Sequence, residues 1–179
     1  MNTRSLALVA LLALFSGLAW GNAENLGEGL LFYEPFDSTL TPTLARGPGN
    51  VSGKNVTYET GKVNSGALIG NSSVQVLQWG NLQRDCGTVS FWINLKTAFK
   101  DSKDNSICLF RGPWVQLVYV QKNHKLFFMT GRVFEKDGFK WDYSAYAEEI
   151  LKWSPGEWHH LAVSWNSATG VKKIYCDGL

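Results

Sequence analysis

The chain has 179 residues, and its 17 Lys and Arg nearly balance 15 Asp and Glu, for a net charge of +2. That length holds one ordinary domain, and the near-neutral balance excludes an electrostatic case for a nucleic-acid or strongly acidic partner. Eight Trp, ten Phe and six Tyr point instead to pleated, half-buried surfaces, where aromatic rings are favoured.

The N-terminus reads as a leader. Met1-Asn2-Thr3-Arg4 is a short basic start, and Ser5 to Trp20 is an unbroken apolar stretch. Gly21-Asn22-Ala23 then offers small residues for cleavage after Ala23. This is the three-part pattern of a secretory signal peptide, and its apolar run is shorter than the ~20 residues a spanning helix needs. The expectation is a cleaved signal at residues 1–23, a secreted or periplasmic product, and no membrane span afterwards. Residues 24–179 then form one domain.

Leu30–Phe36 predicts a first strand, ended by Pro35 at an edge or bend. Ser38–Asn55 reads as a long polar connection, followed by short strands around Asn55–Thr60, Gly66–Gly70 and Ser73–Trp79. In Gly87–Lys96, Val89, Phe91, Ile93 and Leu95 alternate with Ser90, Trp92 and Asn94. Period two assigns the apolar set to the core and leaves Trp92 among polar neighbours. After the charged loop Lys100–Asn105 comes a strand at Ser106–Phe110. Trp114–Gln121 and Lys125–Thr130 form a hairpin over Lys122-Asn123-His124. Phe134–Tyr146 reads as an aromatic, polar loop or irregular edge, and Ala145–Lys152 as a strand or a single turn. Trp158–Trp165 and Val171–Cys176 make a last hairpin, with Asp177-Gly178 as a type I′ turn signal leading onward. Many short strands with frequent turns predict an all-β antiparallel sandwich.

Three cysteines, Cys86, Cys108 and Cys176, leave at least one thiol without an internal partner. Spacing does not fix connectivity. Cys108–Cys176 is the pairing taken forward, against an equally weighted set of three buried free thiols. Asn50, Asn55 and Asn71 each begin an Asn-x-Ser/Thr sequon in a loop. His159 and His160 are adjacent on a strand, so their rings point to opposite faces and cannot share one ligand. They read as structural. No nucleophile-elbow, phosphate-loop or dinucleotide motif occurs.

Taken in order, Trp158-His159-His160-Leu161-Ala162-Val163-Ser164-Trp165 and Ile174-Tyr175-Cys176-Asp177-Gly178 resemble the closing signature of laminin-G-like and pentraxin-like domains. Gly87–Ile93 resembles that family's Gly-Thr-x-Ser-Phe-Trp strand. Glu34-Pro35-Phe36-Asp37 and Gly61–Leu68 resemble its opening elements. These domains belong to the concanavalin A-like lectin/glucanase superfamily. The resemblance covers residues 30–179 and implies a jelly-roll sandwich. It also implies final strands beyond the Asp-Gly turn; without them residues 24–179 would be an incomplete domain with an open edge beside Leu30–Phe36, the alternative being a partner that supplies the missing strands.

Hydrolases of the superfamily carry three acids on one strand face, a pattern this chain lacks. Glu34-Pro35-Phe36-Asp37, Glu135-Lys136-Asp137 and Glu148-Glu149 all have the wrong spacing. The expectation is therefore no enzyme. The resemblance also raises Ca2+ as a cofactor, for which Asp101, Asp104 and Asn105, with Asp137 and Asp142, are the candidate oxygen ligands. Solvated loop charge is the competing reading. For sugar stacking, Trp141, Asp142, Tyr143 and Tyr146 with Arg132 form one candidate surface, and Trp92 a second. The leading expectation is a secreted, non-catalytic binding module for carbohydrate or an extracellular protein. An accessory domain of a larger glycoside hydrolase and an adhesion spacer without a small ligand are the alternatives.

Overall fold

The computed structural model describes residues 7–15, 29–70, 73–135 and 138–179, with side chains described for 29–70, 73–131 and 146–179. In chain order the strands are β1 (Ala7–Phe15), β2 (Leu30–Glu34), β3 (Leu44–Ala45), β4 (Val51–Gly53), β5 (Thr57–Thr60), β6 (Ser65–Ile69) and β7 (Val74–Val76). They continue as β8 (Cys86–Leu95), β9 (Ser106–Arg111), β10 (Val115–Val120), β11 (Lys125–Glu135), β12 (Gly138–Ala147), β13 (Trp158–Asn166) and β14 (Val171–Cys176). Short 3-10 turns fall at Phe99–Asp101, Gln121–Asn123 and Glu149–Lys152.

An eight-stranded sheet runs β14-β13-β8-β1-β2-β3, with β6 also on β1 and β5 on β6. A four-stranded sheet runs β12-β11-β10-β9, and β4 and β7 form a separate pair. Every pairing is antiparallel. The core lies between the two large sheets. Val89, Phe91, Ile93 and Leu95 of β8 and Leu161, Val163 and Trp165 of β13 meet Val115, Leu117 and Tyr119 of β10 and Leu126 and Phe128 of β11. The strict alternation seen in β8 is thus the alternation of core and outer face. Each large apolar side chain buried there stabilises the fold by about 1.5–3 kcal/mol relative to exposure.

Turn chemistry sets the closing hairpin. Asn166 Oδ1 accepts the backbone N–H groups of Ala168 and Thr169 at 3.0 and 3.2 Å, and Gly170 takes a φ of 67°. Asp177 and Gly178 both have positive φ, 54° and 86°, as a type I′ turn requires. Cys176 and Leu179 exchange both backbone hydrogen bonds across it, at 3.1 Å each.

Four sequence expectations change. The connection from Ser38 to Asn55 holds two short strands, β3 and β4. Of the two readings of Phe134–Tyr146 the irregular edge holds and the loop does not: its described residues lie in β11 and in β12, the edge strand of the four-stranded sheet, and the β11–β12 register shifts near Phe128 and Thr130. Those shifts blur the alternation a strand would otherwise show. The Cys108–Cys176 disulfide is not formed, because Cys108 is exposed on β9 of the smaller sheet while Cys176 is buried on β14 of the larger one. Nor is the set of thiols uniformly buried.

The fourth change concerns the edge beside Leu30–Phe36. β1, the heart of the apolar N-terminal stretch, lies against it. One side of β1 pairs with β8 from Ala7↔Leu95 to Phe15↔Thr88. Its other side is shared, with β6 on Ala7–Val9 and β2 on Leu12–Phe15. The expected cleavage site at Gly21–Ala23 lies outside the described residues.

Candidate functional site

The outer face of the larger sheet carries the residues that alternate with the core. Ser90, Trp92 and Asn94 of β8 lie opposite Ala162, His160 and Trp158 of β13. Tyr33 of β2 shares the row of Ser90 through Ala13 of β1. Trp92 lines a shallow pocket of about 140 Å³ with Tyr33, Pro35, Asp37, Lys62, Val63 and Asn64. The Lys62 ammonium sits 4.7 Å from the centre of the Trp92 ring, within cation–π range. The His160 ring stands 5.2 Å away on the other side, tilted by 58°.

The pocket wall is held by Asp37. Asn64 Nδ2 donates to its Oδ2 at 3.0 Å, and Ser65 Oγ and N–H donate to its Oδ1 at 2.9 and 3.3 Å. Phe36 and Ser38 on either side take positive φ, so the turn after β2 is bent tightly onto the β5–β6 turn. Asp37 is therefore a bracket, with both oxygens in use.

The two histidines divide as strand geometry predicts. His159 stacks flat on Trp153, ring centres 4.3 Å apart and 1° from parallel. Its Nδ1 is 2.8 Å from Asp177 Oδ2, and its Nε2 approaches Glu157 at 3.5 Å. His160 faces out, with Nε2 2.7 Å from Ser90 Oγ. Burial lowers its pKa, favouring the neutral ring, and the Asp177 charge opposes that more weakly. The serine–histidine contact does not extend into a triad. Asp177 Oδ1 accepts the His160 backbone N–H at 2.8 Å and Oδ2 serves His159, whereas a triad carboxylate orients the ring of the base itself. Burial would raise the Asp177 pKa, but these two hydrogen bonds and the neighbouring imidazoles outweigh it and hold it below the ordinary value.

The residues of the second expected surface lie on the β11–β12 hairpin. In the β11–β12 register Arg132 pairs with Trp141, Thr130 with Asp142, Met129 with Tyr143 and Phe127 with Tyr146. The side chains of Arg132, Trp141, Asp142 and Tyr143 lie outside the described residues. Tyr146 is 61% exposed, with Lys125 Nζ 4.1 Å above its ring. It lies on the outer face of the smaller sheet, because its partner Phe127 alternates with the core residues Leu126 and Phe128. Tyr146 and Trp92 are thus on opposite outsides of the sandwich.

The Asp101–Asn105 loop is held by local backbone contacts. Asp101 closes a 3-10 turn, the Asp104 N–H donates to Ser102 Oγ, and the Asn105 carbonyl accepts the Gln121 N–H. Among the described residues no group of three or more His, Cys, Asp or Glu converges, whereas Ca2+ takes about 6–8 oxygens. Asp137 lies outside the described residues. Tyr33, Asp37, Lys62 and Asn64 were not singled out from the sequence. They come from two segments, marked by the Glu34–Asp37 and Gly61–Leu68 motifs, which only the sheet brings to Trp92 on a third.

Two antiparallel sheets packed face to face define an all-β sandwich, here with a shallow aromatic pocket on an outer face. A laminin G family model, described as the concanavalin A-like lectin/glucanases superfamily, matches residues 68–179. The chain belongs to that superfamily. Its Gly87–Ile93 and Trp158–Gly178 motifs fall inside the matched span, and Glu34–Asp37 falls upstream of it. No curated protein and no solved structure matches the chain. Among the described residues no helix is long and apolar enough to cross a membrane.

Proposed function

We propose that the chain is an exported, non-catalytic binding module that recognises carbohydrate at the Trp92 pocket. The observation that carries this reading is the pairing of two aromatic side chains, Trp92 and Tyr33, with the polar groups of Lys62 and Asn64 around one depression. An aromatic face packs on the apolar C–H surface of a sugar ring, and the polar rim meets its hydroxyls. Export rests on the leader pattern of Met1–Ala23. The non-catalytic reading rests on the acids. Asp37 is the single carboxylate lining the pocket, and it is consumed by Asn64 and Ser65. Glycoside hydrolysis typically needs two carboxyls about 5–9.5 Å apart.

The test is a glycan array and titration calorimetry on the full chain, in Ca2+ and in chelator. Saturable binding is expected, with Trp92→Ala weakening it at least about tenfold, the loss of roughly 1.4 kcal/mol of stacking and burial. Absence of sugar binding under both conditions, or equal affinity in the Trp92 variant, would refute the site. Turnover of β-glucans would refute the non-catalytic reading.

A protein partner is a second reading, favoured by Trp79 and Leu77. They are 71% and 49% exposed beside a turn clamped by the fully buried Asn81. Asn81 Oδ1 accepts the Gly47 N–H at 2.8 Å, and its Nδ2 donates to the carbonyls of Pro48 and Leu77 at 2.9 and 2.8 Å. An aromatic side chain beside a rigid support is the kind of group that anchors protein interfaces.

A further inference from the structure

The pocket at Trp92 is lined by two charged side chains, Asp37 and Lys62, and they are engaged differently. Asp37 is occupied within its own corner of the fold, with Asn64 Nδ2 on one oxygen and the Ser65 hydroxyl and N–H on the other. Lys96 and Lys125 reach the carboxylates of Glu59 and Glu148 at 2.7 and 3.1 Å. The exposed Lys62, by contrast, has no ion pair or hydrogen bond among the described residues. Its ammonium stands over the Trp92 ring, 4.7 Å from the ring centre. Lys62 and Trp92 line the pocket together, so the covered face is the one that looks into it. A sugar that stacks on Trp92 meets the ammonium first, and must share the face with it or displace it.

We infer that Lys62 makes the pocket selective for acidic sugars, that is, for a pyranose bearing a carboxylate or a sulfate. The inference rests on carbohydrate recognition at Trp92 and adds the class of carbohydrate. Moving an ammonium off an aromatic face gives up a cation–π contact. A neutral sugar offsets that loss only with hydroxyls, which water supplies equally well. An anionic group offsets it with a charge-assisted hydrogen bond, roughly twice as strong as a neutral one. The ammonium therefore yields the ring to an acid more readily than to the neutral counterpart of the same shape. Its flexible four-carbon stem lets it follow the charge to the edge of the sugar while the apolar C–H face settles on the indole. Asp37 does not cancel the preference, because its donors hold its oxygens toward Asn64 and Ser65 and not toward Lys62. The net charge of +2 gives little general attraction for polyanions, so the selectivity is local to one lysine. The contact is exposed, and salt weakens it.

The test titrates the full chain by calorimetry with oligomers of galacturonate, mannuronate and glucuronate, and with the methyl ester of each, which keeps the ring and removes the charge. A sulfated galactose oligomer and its unsulfated parent form a second arm, which separates sulfate from carboxylate as the source of the charge. At least one acid is expected to bind about tenfold or more tighter than its neutral counterpart. That preference should shrink as salt rises to about 0.5 M. Lys62→Met keeps the stem without the charge, and should bring the acid and its neutral counterpart to within about threefold of each other. Lys62→Arg should retain the preference. A merely structural role for Lys62 would lower both affinities together and leave their ratio in place, which would overturn the inference. Neutral sugars that bind as tightly as the acids would overturn it too, while leaving carbohydrate recognition at Trp92 intact. Failure of every acid and every neutral sugar to bind would sink both readings. Binding of an acid undiminished by Trp92→Ala would put the charge recognition elsewhere on the molecule, against the inference.

Discussion

Glu34 faces the core beside Phe32 and is fully buried. Its Oε1 accepts the Phe36 N–H at 2.9 Å, while Oε2 has no hydrogen-bond partner among the described residues. Burial raises its pKa, and the Phe36 hydrogen bond offsets that only in part. Burial also raises the pKa of Tyr58, and the Glu34 charge adds to the shift. A carboxyl with a raised folded pKa keeps its proton longer in the folded chain than in the unfolded one. Its contribution to stability is therefore most favourable below the unfolded pKa of about 4.5 and is lost as pH rises through the folded value. Glu34→Gln should stabilise the chain at pH 7 by roughly 1–3 kcal/mol, the scale of a poorly satisfied buried polar group. The gain should vanish near pH 4. Urea unfolding of both chains across that range checks it, and a gain independent of pH would mean the carboxyl is not the cause.

At the scale of elements, the closing hairpin is tied to the sheet by Asp177, which bonds a side chain on one β13 residue and the backbone of the next. The Asp177 N–H also donates to the His160 carbonyl at 2.8 Å. Asp177→Ala should cost about 1 kcal/mol, since partial exposure discounts charge-assisted bonds. Its folded pKa is depressed, so the contribution is present above the unfolded pKa and fades as pH falls through the folded one. The difference in thermal midpoint between the two chains should accordingly shrink below about pH 4. The hairpin itself was legible because three local signals agree: alternation in Trp158–Trp165, an Asn-initiated turn and a Gly at positive φ. β11–β12 was not, because shifts in register break period two where the aromatics lie. The pocket was half legible. Trp92 stands out as an aromatic on the polar side of its strand, but nothing local links it to Lys62, thirty positions earlier in the chain.

Across the whole molecule, the three thiols report on different parts of the fold. Cys108 is exposed and Cys86 half-buried. Burial, with the Glu149 and Asp177 charges adding, pushes the Cys176 thiol up to about 12. Only the thiolate reacts with disulfide reagents. At pH 8 Cys108 should therefore label quickly and Cys176 only as fast as the molecule opens, as mass spectrometry of timed samples can follow. Equal labelling of the two would contradict the sandwich as described. The placement of β1 has a further consequence in time. β1 is made first, but its longest partner, β8, is complete only at Leu95. At a synthesis rate of ~5–20 residues per second, the apolar segment waits on the order of ten seconds with no β8 edge to join. Throughout that interval it is an uncharged apolar stretch without its β8 partner; afterwards it is sheet. The larger sheet therefore closes late around a strand made at the start, so the order of synthesis and the order of pairing run in opposite directions.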